Sequence, residues 1–443
     1  MSLITGIRGT CTQNTFLYVV SGNKLYRYDQ ATPDATPAEL EIGTLQTAYG
    51  DVSMATNGTQ VCIVDGVTGY IATDIADMEV ITDADFPDGV DTVVATDSVF
   101  VVCQDGEREI YQSDILDGLS WNGLAVATKE GAPDPLRTIV VSQRELLLIG
   151  YLTSEIWVNN GDSTILFQRS GNAFIEAGAA AKRSVAKLDY TIFWLGQDAR
   201  GQGIVWRLQG YNPVRVSDHA IEYWINQADS LEDAIGFAYQ QEGHSYYVLT
   251  IPDLDQTFVY DISSDRWHER AWRDPLSGSL NRWRAQNHVF FDGKNIIGDW
   301  EDGKLYELDL DVYLDRATID GNGDATGDLI RRVRVTQTIN DDQKKMFFSR
   351  LQIDMQVGVG TYSHNDAVNQ AEDPQVMLRY SDENGKNWSD ILYHELGKAG
   401  ESDTQVVFSN LGAGYNRVWE LSITDPVKAV VLGANAQLRK GRA

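Results

Sequence analysis

The feature that most constrains this chain is an apolar run that keeps returning. It occupies residues 16–20, 61–64, 99–103, 146–149, 192–195, 246–249 and 289–291. A turn-rich gap follows each run, and then a segment carrying an aromatic residue. These aromatics are Tyr26, Tyr70, Tyr111, Trp157, Trp206, Tyr260 and Tyr306, spaced 44, 41, 46, 49, 54 and 46 residues apart. A strand-only repeat of roughly 40 to 50 residues predicts a β-propeller, each unit being one four-stranded antiparallel blade. The continuous run is the strand expected to be buried on both faces between blades. The aromatic strand beside it is expected to be half exposed. Asp65-Gly66, Asp105-Gly106, Asn160-Gly161, Asp292-Gly293 and Asp302-Gly303 supply tight turns.

The repeat predicts an all-β fold: a propeller of about seven blades over 4–310, then a different domain. Residues 1–3 read as an appended leader, and the first repeat begins so early that an N-terminal truncation is expected. Residues 175–187 are Ala-rich; they suit a short helix or, preferably, a tight small-residue crossing between blades. Residues 311–328 read as a linker. Beyond it, 329–337, 347–357, 375–380, 417–423 and 429–439 alternate polar and apolar positions, which predicts an antiparallel β-sandwich over 329–443.

Charge narrows the partners. The chain carries a net −28 at pH 7 with a sequence pI near 4.5. Gripping phosphate needs Lys and Arg, so nucleic-acid binding is disfavoured. An acidic wall suits a passage through which a polyanion slides without sticking. The three cysteines, Cys11, Cys62 and Cys103, form neither a disulfide framework nor a zinc motif. No apolar stretch reaches membrane-span length.

Motifs for chemistry are weak. Asp320, Asn322 and Asp324 open like a calcium loop, but Ala325 and Arg331 stand where an EF-hand needs Gly and Glu. Carboxylates abound, yet sequence cannot show two facing one another as a glycosidase requires. The six histidines form no metal motif, and the serine-glycine pairs lack the nucleophile elbow. No cofactor is expected and no enzyme is read. Tyr260-Asp261 with Trp267 resembles part of a kelch blade. The segment Tyr380-Ser381-Asp382-Glu383-Asn384-Gly385-Lys386-Asn387-Trp388 resembles an Asp-box hairpin, a folding device in the families that carry it.

One stretch reads as a contact surface. Arg266, Trp267, Arg270, Trp272 and Arg273 lead on to Trp283 and Arg284, interleaving the two residue types most enriched at interface hot spots. The plainer reading is an outer blade strand with ordinary surface arginines. Base stacking is a third reading that the overall charge opposes.

The segments Phe167-Gln168-Arg169-Ser170-Gly171, Ile192-Phe193-Trp194-Leu195-Gly196, Tyr211-Asn212-Pro213-Val214-Arg215-Val216-Ser217 and Ile221-Glu222 form a further pattern. With Gly22-Asn23-Lys24-Leu25-Tyr26, Val52-Ser53-Met54-Ala55 and Ala434-Asn435-Ala436-Gln437-Leu438-Arg439, the chain resembles the packaged-DNA stabilisation proteins of short-tailed, P22-type phages. The resemblance implies a non-enzymatic virion protein made in the host bacterial cytoplasm. It implies a hexameric tail nozzle below the portal and its adaptor, which keeps DNA in the capsid and seats a tail needle or fibre. DNA would pass through its channel without specific binding, and no membrane is involved. Members of that family carry a longer N-terminal segment, so the strand that closes the ring is left open here. The alternative is a phage-borne propeller that binds or cleaves glycans.

Overall fold

The computed structural model describes residues 6–32, 35–162, 164–188, 190–198, 201–319, 325–342, 344–360 and 371–441. Residues 1–3 and the Asp320, Asn322 and Asp324 group lie outside them. The chain divides into two compact units, residues 1–271 with 281–308, and residues 272–280 with 309–443.

The first unit is a ring of seven antiparallel sheets in sequence order. Blade 1 spans Ile7–Gln13, Phe16–Ser21, Lys24–Asp29 and Glu41–Thr44; blade 2 spans Ser53–Thr56, Val61–Val64, Gly69–Ala72 and Glu79–Val80. Blades 3 and 4 cover 92–128 and 136–175, and blade 5 covers 178–215. Blade 6 runs from Ile235–Gln241 to Leu280–Arg282, and blade 7 has three strands, Ala285–Phe291, Lys294–Asp299 and Leu305–Glu307. For six of the seven neighbouring pairs the first strands of the blades adjoin, so first strands line the axis.

The repeated apolar runs are the second strands of their blades, except the last, which ends the first strand of blade 7. Val61, Cys62, Ile63 and Val64 are fully buried, as are Val99 through Cys103. Each such strand gives alternate side chains to the cores on its two sides. Val61 and Ile63 pack towards blade 1, while Cys62 and Val64 pack with Phe100 and Val102 of blade 3. This two-sided burial is why the runs are continuous. The aromatics behave less uniformly than expected. Tyr26, Tyr70, Trp157 and Tyr260 are buried, whereas Tyr111, Trp206 and Tyr306 are half-buried. The buried four point into inter-blade cores and not to solvent.

The Ala-rich segment is the tight crossing: Gly178–Ala179, a single 3-10 turn at Lys182–Ser184, and Ala186–Leu188 form the interrupted inner strand of blade 5. Ala177, Ala179, Ala180 and Ala181 are buried there. A short helix, His219–Ile225, leads into blade 6, with the Asp218 carboxylate accepting the Ile221 N–H.

Blade 7 closes directly on blade 1. Ile7 is fully buried in a cluster with Leu17, Val19, Tyr26 and Phe291. Gln30 donates to Asp292 at 2.5 Å, and the Tyr28 and Phe291 rings meet edge to face at 6.0 Å. Gly298 is required at this seam, since a Cβ there would fall 2.7 Å from the Ile7 Cβ. Among the described residues, blade 1 keeps its own four strands and blade 7 borrows none.

The second unit is a β-sandwich. One sheet orders Arg332–Val335, Asn416–Ile423, Gln375–Ser381 and Leu392–Glu395; the other centres on Met346–Met355, flanked by Val406–Ser409 and Val431–Lys440. Phe348, Leu351, Ile353, Leu378, Phe408 and Trp419 pack between the sheets. Segment 311–328 differs from the expected linker: Leu314–Ile319 pairs with Ala325–Leu329 as a ribbon pinned by Arg316 to Asp328. In the Asp-box-like hairpin, Ser381 accepts the N–H groups of Glu383 and Gly385, and Arg379 stacks on Trp388 at 4.6 Å. The group there is a turn clamp.

Candidate assembly surfaces

Antiparallel pairing places the starts of all inner strands, and the turns between second and third strands, at one end of the ring. Charged side chains concentrate there. Arg8, at the start of blade 1, is buried and donates to five acceptors between 2.7 and 2.8 Å: the carbonyls of Gly22, Thr47, Tyr49 and Gly50, and the Thr47 hydroxyl. The blade-5 turn reaches across the axis. Arg183 pairs with Asp51 at 2.8 Å and Lys182 with Asp91 at 3.0 Å, tying blade 5 to the entries of blades 2 and 3. Arg137 of blade 4 meets Asp105 of blade 3 at 3.0 Å and Glu232 ahead of blade 6 at 3.2 Å. Burial raises the Asp105 carboxyl above its ordinary range while Arg137 and the Tyr151 hydroxyl oppose the shift. A cavity of about 260 Å³ beside the blade-5 turn is lined by Asp51, Ser53, Asp91, Thr138, Lys182 and Arg183. Each of its charged residues already belongs to an ion pair. Among the described residues no cluster of His, Cys, Asp and Glu is arranged to hold a metal.

The Trp/Arg stretch is split by the fold. Arg266–Arg273 is the fourth strand of blade 6. Arg266 is exposed opposite Asp261 in the ladder. Trp267 faces the blade-5 side, where its ring lies 5.2 Å from Tyr260 and its indole N–H donates to the Val216 carbonyl at 2.8 Å. Arg270 turns the other way, into a cage of Tyr239, Tyr246 and Trp283 at 5.6, 5.3 and 4.9 Å. Arg270 and Trp283 are thus brought together. Trp272 and Arg273, both half-buried, belong to the second compact unit, where the Arg316 guanidinium covers the Trp272 ring at 5.2 Å. Arg284 is buried and clamps Asp299 in blade 7 through two bonds of 2.6 and 3.0 Å, with Glu301 and Asp302 nearby. Its guanidinium is committed inside the blade.

Sequence reasoning missed two features. The cross-axis pairs join residues up to 132 positions apart, and no local signal marks them. The other was readable: between Arg27 and Arg108 the chain has no Lys or Arg and carries 16 carboxylates, more than half the net charge.

A seven-bladed propeller followed by a β-sandwich defines a two-domain all-β protein. The chain belongs to the bacteriophage P22 Gp10 family and is a P22-like tail protein, a phage structural protein. The family model described as "Bacteriophage P22 Gp10, beta-propeller" matches residues 3–313, and that described as "Bacteriophage P22 Gp10, beta-sandwich" matches residues 331–439. No curated protein matches the chain. Among solved structures, it is similar to virginiamycin B lyase from Staphylococcus aureus, at 10% identity and a TM-score of 0.46, covering 69% of this chain and 95% of that one. It is also similar to a computationally designed protein, Ika8, at 10% identity and 0.43, covering 69% and 98%. YCF48 bound to D1 peptide matches at 13% and 0.43, covering 69% and 95%. No helix among the described residues is long and apolar enough to cross a membrane.

Proposed function

We propose that this protein is a ring subunit of a phage tail nozzle, without enzymatic activity. In this reading it closes the portal channel after packaging, stabilises the packaged DNA and seats the tail needle or fibre. The observation that carries the proposal is the family match over both domains in their order along one chain. Fold alone does not assign a role; family membership does, and the ion-paired charges at the ring's loop end support it. Six copies around a channel would present part of a −28 surface to DNA, which repels phosphate and lets the duplex pass without specific binding. The virion is the expected location, with the portal adaptor as the neighbour.

The test mixes the chain with portal and adaptor and follows complex formation by light scattering and electron microscopy. Addition of a six-fold density below the adaptor is expected. A chain that stays monomeric and never joins the portal complex overturns the proposal.

A further inference from the structure

Charge is segregated around the propeller. The cation-free span covers the outer part of blade 1, all of blade 2 and the inner part of blade 3. It includes the blade-2 edge. Asp77, Glu79, Asp85 and Asp88 are exposed there, and none of them forms an ion pair among the described residues. Ile75 lies within the same segment, 94% exposed. The blade-6 edge is net positive, its two outermost strands carrying Arg266, Arg270, Arg273 and Arg282 against Glu269. Arg266 and His268 are exposed, and Arg270 and Arg282 are half-buried. Arg270 is held in its aromatic cage, and Arg282 stacks over Trp300 at 3.9 Å with the Asp255 and Glu301 carboxylates in its field. Among the described residues, Arg266 and Arg270 have no carboxylate within ion-pair distance.

Aromatic stacking holds the Arg270 guanidinium in place without neutralising its charge. That is a preorganised cationic edge, and its complement lies on the same molecule. Blades 2 and 6 stand nearly opposite in the ring, with three blades between them on one side and two on the other. Two complementary patches on far sides of one body join copies head to tail, a heterologous contact that builds a ring when the rotation closes.

We propose that the blade-6 edge around Arg266, Arg270 and Arg282 docks against the blade-2 edge around Asp77, Glu79 and Asp85 of a second copy of this chain. The inference rests on the ring reading above and names the surfaces that make the ring. Opposite charge steers the approach, and like charge on the other pairings of edges excludes wrong ones.

The test is a charge swap on the full chain, read by sedimentation velocity at low and high salt, alone and with the portal adaptor. Asp77→Lys with Glu79→Lys, or Arg266→Glu with Arg282→Glu, is expected to weaken self-association at least about tenfold. Combining all four changes is expected to restore it. If the parent associates and neither edge variant weakens it, the edge assignment falls and the ring reading stands. If the parent never associates, even with portal and adaptor, both fall. If the four-fold variant fails to recover, or a short DNA duplex binds the parent and Arg266→Glu abolishes that binding, the copy-to-copy contact is overturned, the second result in favour of a nucleic-acid contact.

Discussion

Arg284→Ala separates a structural arginine from an interface arginine. The side chains of Arg284 and Asp299 are 8% and 0% exposed, and the pair is bidentate. Removing the guanidinium strands a buried carboxylate, which costs about 3–5 kcal/mol. The lower end applies here, because Asp299 keeps the backbone N–H groups of Glu301 at 2.7 Å and Asp302 at 3.3 Å. With a urea slope of about 3 kcal/mol per molar, a loss of about 3 kcal/mol moves the propeller's unfolding midpoint down by about 1 M. Tryptophan fluorescence against urea measures it. Adding Asp299→Asn to Arg284→Ala is expected to recover roughly 2 kcal/mol, since an unpaired amide costs less to bury than an unpaired charge. A single-variant shift under about 0.3 M, together with lost assembly, refutes the reasoning and returns Arg284 to a partner surface.

Three further outcomes follow from named contacts. Gly298→Ala drives a Cβ against Ile7 at the closing seam and is expected to cost about 1–3 kcal/mol by overpacking, visible as a lower melting temperature of the propeller. His288, stacked 6.2 Å from Phe237 and bonded to Asn295, is held below its ordinary 6.5 by burial. The unfolded chain therefore takes up the proton first as pH falls, so stability is whole above about 6.5 and declines below it; His288→Gln should flatten that part of a melting-temperature profile between pH 7 and 5. Trp272→Ala removes the ring that Arg316 covers and is expected to cost about 3–5 kcal/mol, read as a lower urea midpoint by tryptophan fluorescence.

How much of this was legible depends on the range over which each signal acts. The apolar runs, the aromatic period and the switch at about residue 310 were readable because two-sided burial acts on every residue of a strand. The Trp/Arg stretch was readable as composition and not as geometry. Neighbouring residues of one strand point to opposite faces, so Trp267 and Arg270 went to different inter-blade seams. Arg284 found Asp299 only because a hairpin folded back 15 residues later.

By itself, then, the sequence indicated a propeller of about seven blades, a sandwich after it and an acidic composition. These follow from local periodicity and summed composition, which survive without knowledge of distant contacts. The family came from the resemblance of scattered segments along the chain. Tertiary structure alone decided how the ring closes, since Ile7 and Gly298 meet only once six blades have turned the chain around. It also decided which arginines are clamps and which remain charged edges. That choice depends on partners brought from far along the chain, such as Arg183 to Asp51, and no local pattern records them.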